Sequence, residues 1–146
     1  MKADPNDRGE TLIELLVTVV IMGVAVVALV GGIATSIRMS DIHRKEATAG
    51  TAVRDYAEAI ENAVAGGAYV SCAAKTSYVT GYTPPSGYTA SITGVAYWSG
   101  TAWQPTCGTD TGLQQLTVRV ASNDNRAAEQ VVIVVRERCG LADTLC

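Results

Sequence analysis

The stretch RGETLIELLVTVVIMGV, residues 8–24, opens the longest apolar run of the chain and decides how its N-terminal part folds. From Leu15 to Ile37 the chain has 23 consecutive residues without a charge. At about 1.5 Å of rise per residue, a helix of this length covers about 35 Å, and the hydrocarbon core of a bilayer is about 30 Å thick. The apolar core of a secretory signal peptide is shorter, about 7 to 15 residues. We therefore predict a membrane-spanning helix.

Glu14 lies at the start of this run with apolar residues on both sides. A carboxylate at the centre of a bilayer costs about 2.5–3.5 kcal/mol on insertion scales, and less near an interface. One interpretation is that Glu14 lies close enough to the lipid headgroups for its carboxylate to reach them. The other is that the carboxylate has a functional partner. The acid by itself does not decide between the two.

The residues on either side of the apolar run differ from it in character. Residues 1–9 are polar, carry four charges and are interrupted by Pro5, so we interpret them as a short leader. The 109 residues after Ile37 are enough for one small domain. The net charge of −3 and the pI near 5.0 give no support to nucleic-acid binding. Positive charges occur on both sides of the run and do not orient it.

All four cysteines, Cys72, Cys107, Cys139 and Cys146, follow the apolar run. An even number on one side of a membrane helix is typical of disulfides in an oxidising space, so we expect this part of the chain outside the cytoplasm. Four cysteines allow three pairings, and we expect pairing in chain order, 72 with 107 and 139 with 146. Zinc is the alternative, but there is no CxxC pair and His43 is the only histidine, so we predict no metal.

The helix is predicted to continue past the membrane, over residues 38–66. Apolar residues recur there at the three- and four-residue spacing of one helix face. They are Met39, Ile42, Ala49, Val53, Tyr56, Ile60 and Val64. The opposite face carries Arg44, Lys45, Glu46, Arg54, Asp55, Glu58 and Glu61. Gly66 and Gly67 supply a stop signal for this amphipathic helix.

Two stretches of alternating apolar and polar residues predict a sheet, against which the apolar face of the amphipathic helix can pack. In residues 88–98 and 113–122, apolar residues alternate with polar ones. Residues 123–125, Asn-Asp-Asn, predict a turn, and residues 129–138 predict a returning strand that completes a hairpin. A helix on an antiparallel sheet is an α+β fold. The long connection 68–87, rich in Gly, Ser, Thr and Tyr, is by its length functional or disordered.

The sequence shows no constellation typical of catalysis. His43 has no evident nucleophile partner, and there is no phosphate-binding loop and no GxGxxG motif. We therefore predict that the chain is not an enzyme and uses no cofactor. The chain has no phenylalanine, so its other aromatic residues either fill the core or form an adhesive surface patch. They include Tyr69, Tyr78, Tyr82, Tyr88 and Tyr97, with Trp98 and Trp103.

Gly9, followed by ETLIELLV and an apolar tail, resembles the type III signal of type IV pilins and pseudopilins. The resemblance implies that a prepilin peptidase cuts after Gly9, which makes Glu10 the first mature residue and Glu14 the fifth. It implies N-methylation of Glu10, although Glu10 departs from the methionine or aromatic residue common at this position. It further implies that Glu14 meets the N-terminal amine of a neighbouring subunit during assembly, and that the connection 68–87 lies on the filament surface.

Electrostatics independently supports such a pairing. Cleavage creates a new α-amino cation, and at about 4 Å and an effective dielectric constant of about 20 a unit charge pair is worth roughly 4 kcal/mol before desolvation. This is similar to the cost of placing Glu14 in the membrane. Glu14 is therefore costly in an isolated subunit and satisfied in an assembly, which favours the polymer and sets the stagger of its subunits.

These interpretations predict a leader (1–9), a transmembrane helix (10–37), its amphipathic continuation (38–66) and an extracytoplasmic loop and β-sheet domain (67–146). The predicted function is a structural subunit, a pilin or minor pilin, of a type IV pilus-like filament. A pseudopilin of a type II secretion or DNA-uptake system shares the signal, and a plain membrane-anchored binding domain with an uncut leader is the third alternative. The implied partners are prepilin peptidase, other pilin subunits in a homo- or hetero-polymer, the membrane and an inner-membrane assembly platform. The implied location is the cytoplasmic membrane, crossed once, and then an extracellular filament.

Overall fold

The computed structural model describes residues 7–78 and 80–138, with side chains from Leu12 onward. In this part of the chain one helix, α1 (Asp7–Ala65), precedes four strands. The strands are β1 (Tyr88–Trp98), β2 (Trp103–Gln104), β3 (Leu113–Ser122) and β4 (Ala128–Arg136). The chain divides into two compact units, Met1–Asp41 and Ile42–Cys146, and α1 contributes to both.

The first unit contains the N-terminal part of α1, and every side chain from Leu12 to Asp41 is exposed. The uncharged run Leu15–Ile37 is helical throughout, and its large apolar side chains are 48–73% exposed. Among the described residues, α1 is the one helix long and apolar enough to cross a membrane. Such a surface needs lipid or another protein to cover it, because exposing it to water is unfavourable.

The sheet of the second unit is antiparallel throughout, with strand order β2-β1-β3-β4. The predicted bounds of β1 and β3 and the predicted β3–β4 hairpin are confirmed, and so is the α+β fold. The return strand predicted at 129–138 begins one residue earlier, at Ala128, and ends at Arg136. The sequence did not predict β2, because two residues are too few for an alternation to show.

The core of the second unit lies between the C-terminal part of α1 and one face of the sheet. The helix contributes Ala52, Val53, Ala57, Ile60 and Val64, and the strands contribute Ile92, Leu116, Val118, Val120, Ile133 and Val135. Ile60 and Leu116 are fully buried, and each such side chain contributes about 1.5–3 kcal/mol through burial. Met39, predicted on the same apolar face, is 52% exposed, because it belongs to the first unit, where no described residue covers it.

Tyrosine side chains fill part of this core and secure the helix to it. Tyr78 is buried, and Tyr69 and Tyr88 pack against the core cluster. The hydroxyls of Tyr82 and Tyr88 donate to backbone carbonyls of α1 at 3.0 and 3.3 Å. Trp98 and Trp103 are not members of the core cluster.

Lys45, one of the charged residues predicted opposite the apolar face of α1, also binds the sheet domain. Its side chain is only 25% exposed, and its ammonium donates to Oδ2 of Asp124 at 2.5 Å. This hydrogen bond is the main reason that the pKa of Asp124 lies below its ordinary value. Asp124 lies in the turn between β3 and β4, so the contact joins the helix to the sheet. The helical periodicity of α1 cannot predict a contact with a residue so distant in sequence.

The end of α1 at Ala65 agrees with the predicted glycine stop. The N–H groups of Gly67 and Ala68 donate to carbonyls of the last turn at 2.9 and 3.0 Å, the pattern of a Schellman motif. Gly67 has a φ of +98°, a conformation that glycine adopts without a Cβ clash. Arg138, which follows β4, donates from its guanidinium to the carbonyl oxygen of Ala65 at 2.9 Å and completes the cap.

Candidate functional site

The residues of the predicted cleavage site, Gly9 and Glu10, lie within α1, but the side chain of Glu10 is outside the described part of the chain. Residues 1–6 of the predicted leader, and Cys139 and Cys146, are also outside the described residues. Cleavage after Gly9, N-methylation of Glu10 and the pairing of the last two cysteines therefore stay predictions from the sequence.

Glu14 lies on α1 with its side chain exposed. The hydroxyl of Thr18 donates to the backbone carbonyl oxygen of Glu14 at 2.7 Å, and not to the carboxylate. Within residues 7–78 and 80–138 the carboxylate has no hydrogen-bond or ion-pair partner. The large apolar side chains from Leu12 to Leu16 are 60–69% exposed. Glu14 is therefore an unpartnered acid on an apolar helix surface.

A carboxylate in such a place needs a cation once the surface is covered. When lipid or protein covers the apolar side chains, the carboxylate loses water, and an uncompensated charge in that setting is costly. No residue of the described chain supplies the compensating charge. Glu14 can thus act as one half of an ion pair whose other half lies outside the described part of the chain.

A second polar site lies in the second unit, around Asp110 in the loop between β2 and β3. Its Oδ1 accepts hydrogen bonds from the Tyr69 hydroxyl and the Gly112 N–H, both at 2.8 Å. Its Oδ2 accepts from the Cys72 N–H at 2.7 Å and from the Gln114 amide at 2.8 Å. Burial raises the pKa of Asp110, but these four donors outweigh burial and hold the pKa below its ordinary value.

This arrangement, which we call the Asp110 clamp, fixes the connection between α1 and β1. Cys72 has a φ of +51°, in the left-handed region that costs a non-glycine residue roughly 1–2 kcal/mol, and Asp110 binds its N–H. Burial, followed by the hydrogen bond to Asp110, raises the pKa of Tyr69, so its hydroxyl keeps the proton that it donates. Gln114 is fully buried and also accepts a hydrogen bond from the Tyr78 hydroxyl at 3.0 Å.

A disulfide next to the clamp joins Cys72 to Cys107, the first of the two expected pairs, with Cα atoms 5.6 Å apart. The two cysteines are separated by 35 residues in sequence, and the chain-entropy model gives such a loop about 4 kcal/mol of stabilisation. Ligand atoms of Cys72, Cys107 and Asp110 all lie within 4.8 Å of one another. The sulfur atoms are bonded to each other and the carboxylate already accepts four hydrogen bonds, so this chemistry fits a structural clamp and not a metal centre.

Sequence reasoning missed Asp110 and Gln114. Gln114 does leave a signal, because it continues the inward alternation of Leu116 and Val118 along β3. A polar residue at a buried strand position implies a hydrogen-bond partner in the interior. Asp110 stands in a loop rich in Thr and Gly, where Asp is a common turn residue, so the sequence does not distinguish it from other turn residues.

We expect Asp110→Asn to lower the free energy of unfolding of the second unit by about 1–3 kcal/mol at neutral pH. The amide replaces one carboxylate oxygen with an NH₂ group, which then faces two donors. The folded-state pKa of Asp110 is lowered, so its ionised carboxylate stabilises the fold fully above the unfolded pKa of about 3.9. This stabilisation is lost as the pH falls through the folded pKa. The two proteins should therefore converge in stability in acid.

Denaturant unfolding of the full chain in detergent, at a series of pH values, measures both effects. Asp55→Asn is the matched control, because Asp55 is an exposed acid of the same unit. It should change the stability by less than about 0.5 kcal/mol. Equal stability of the wild type and Asp110→Asn at neutral pH would show that the clamp contributes nothing.

Comparison with known proteins identifies the N-terminal segment. Residues 4–30 match the family model described as the prokaryotic N-terminal methylation motif. No curated protein and no solved structure matches the chain. The matched segment contains Gly9, Glu10 and Glu14 and a large part of the uncharged run. The N-terminal segment therefore carries a prepilin signal of the type IV pilin and pseudopilin type, and this signal overlaps a helix that is long and apolar enough to cross a membrane.

Proposed function

We propose that this protein is a structural subunit, a pilin or minor pilin, of a type IV pilus-like filament. Prepilin peptidase removes residues 1–9 by cutting after Gly9, and the new amine of Glu10 is N-methylated. Subunits then associate through the helix that follows, with an inner-membrane assembly platform and with copies of this chain or other pilins as partners. The protein has no catalytic role in this proposal.

The observation that carries the proposal is Glu14, an acid without a cation on a helix surface that is apolar and exposed. Lipid alone would cover the apolar side chains but leave the carboxylate unpaired. Cleavage after Gly9 gives each mature subunit one new α-amino cation, and Glu14 supplies a carboxylate that this cation can pair with. Helices lying side by side can pair these two groups, and the pairing then fixes the stagger between subunits.

The second unit supports a location outside the cytoplasm. Disulfides such as Cys72–Cys107 form and persist in oxidising spaces and are rare in the cytoplasm. In this proposal residues 10–37 cross the membrane once, residues 38–66 continue the helix, and residues 67–146 form the extracytoplasmic domain. A second bridge, Cys139–Cys146, is part of the same proposal.

The test is the mass and N-terminal sequence of the protein purified from membranes and from filaments sheared off the cell surface. We expect a chain that begins at Glu10, carries one added methyl group on its amine and has no free thiol before reduction. A chain that begins at Met1 in both fractions would overturn the proposal in favour of a plain anchored domain. Cleaved protein in membranes but never in sheared filaments would favour a pseudopilin. A Cys72–Cys139 link would refute the proposed pairing.

A further inference from the structure

A groove of about 450 Å³ opens in the second unit where β1 ends and the loop after β2 begins. Its volume lies in the range of about 300–1,000 Å³ typical of small-molecule sites. None of the nine residues that line it is charged. Asp110, between the lining residues Thr109 and Thr111, directs its carboxylate to the four donors of the clamp instead. The groove is therefore polar but electrically neutral.

One wall of the groove carries an aromatic pair. Trp98 lines the groove, and Trp103 pairs with it across β1 and β2, with ring centroids 5.2 Å apart and planes tilted by 60°. Both indoles are partly exposed, and neither ring N–H has a hydrogen-bond partner among the described residues. An indole offers a flat apolar face next to a donor, which suits a ligand with one apolar face and polar edges.

The other walls supply uncommitted polar groups. The side chains of Gln104, Thr106 and Thr109 line the groove, are exposed and form no hydrogen bond within the described chain. By contrast, Thr111 already donates to the backbone carbonyl of Trp98 at 2.7 Å. One amide and two hydroxyls can both donate and accept, so they match a ligand whose edge carries several hydroxyls.

We propose that this groove binds a neutral sugar. The C–H groups on one face of a sugar ring stack on the electron-rich face of Trp98, and its hydroxyls pair with Gln104, Thr106 and Thr109. The lack of any charged lining residue selects against phosphates and carboxylates, which need a cation to offset the loss of water. This site is independent of the assembly role of Glu14 and stands on the second unit alone.

The sequence provides both a probe and a blocking variant for this site. Trp98 and Trp103 are the only tryptophans of the chain, so intrinsic tryptophan fluorescence reports on Trp98, which lines the groove, and on Trp103, which pairs with it. Gly108 lines the groove, its φ lies outside the left-handed region, and a Cβ built on it meets no atom within 4 Å. Gly108→Leu therefore adds a bulky side chain to the lining of the groove without straining the backbone. Ser86→Leu adds the same side chain to an exposed turn before β1 and is the matched control.

The experiment titrates the full chain, in a detergent without a sugar headgroup, with glucose, galactose, mannose, N-acetylglucosamine, N-acetylgalactosamine and their disaccharides. We expect a saturable fluorescence change with at least one of them. Gly108→Leu and Gln104→Ala should weaken the binding by about tenfold or more, and Ser86→Leu should leave it unchanged.

Three results would overturn the proposal. One is the absence of a saturable change with any neutral sugar. Another is binding that persists unchanged in Gly108→Leu, which would place the sugar elsewhere. The third is a response only to charged probes, namely glucose 6-phosphate and sialic acid, or only to a proline-rich peptide.

Discussion

Glu14→Ala is expected to separate processing from assembly. Membrane insertion should be unchanged or slightly easier, because the substitution removes a charge that costs about 2.5–3.5 kcal/mol at the bilayer centre. The cut after Gly9 is not affected. Assembly should fail, because the amine of the adjoining subunit loses its carboxylate in a desolvated setting. Breaking such a pair from one side costs about 3–5 kcal/mol, a loss of roughly a hundredfold or more in association.

The measurement compares cleaved subunit in membranes with subunit in sheared filaments, in a strain that lacks the native copy. Glu14→Gln keeps the shape without the charge and should behave like Glu14→Ala, whereas Glu14→Asp should retain part of the assembly. If Glu14→Ala enters filaments at the wild-type level, Glu14 does not pair with a neighbouring amine. The interpretation in which Glu14 reaches the lipid headgroups would then be the better one.

Gly9→Val is expected to leave the full-length chain in the membrane and out of filaments. The peptidase must bring its catalytic groups close to the backbone at the cut, and a β-branched side chain there holds them apart. An uncut chain also has no amine at Glu10 to offer to a neighbouring carboxylate. Filament formation should therefore be lost completely and not merely reduced.

The mass of the subunit in membranes gives the result directly. Gly23→Val is the matched control, because it places the same side chain in the apolar run at a position where an added Cβ meets no atom within 4 Å. Its leader should be removed at the normal rate. Normal trimming of Gly9→Val would show that the cut lies at another bond.

The elements that the sequence predicts well are those with a local, repeated signal. Alternation over about ten residues predicts β1 and β3, and the glycine pair predicts the end of α1. β2 has no period of its own and is defined only by its pairing with Tyr97 and Trp98. Met39 follows the helical period and is nevertheless exposed. A period shows which face a residue lies on, but not whether anything covers that face.

The two candidate sites, Glu14 and the Asp110 clamp, also differ in how clearly the sequence shows them. Glu14 is conspicuous in the sequence because a single acid interrupts an apolar run, but its counter-charge is not in the described chain. Neither the sequence pattern nor the structure of a single chain can therefore show both members of the ion pair that we propose for Glu14. Asp110 is inconspicuous in the sequence, and two of its donors, Tyr69 and Cys72, lie 41 and 38 residues away. Only the folded chain brings these groups together.

The Asp110 clamp also determines where this protein can diverge. A covalent bond and a few hydrogen bonds hold the connection between α1 and β1, chiefly at Tyr69, Cys72 and Tyr78. Exposed residues between these anchors, such as Lys75 and Thr76, form no side-chain hydrogen bond or ion pair within the described chain. Exchanges there alter the surface at little cost in folding. The surface of the connection between α1 and β1 can therefore change during evolution while the fold beneath it is kept.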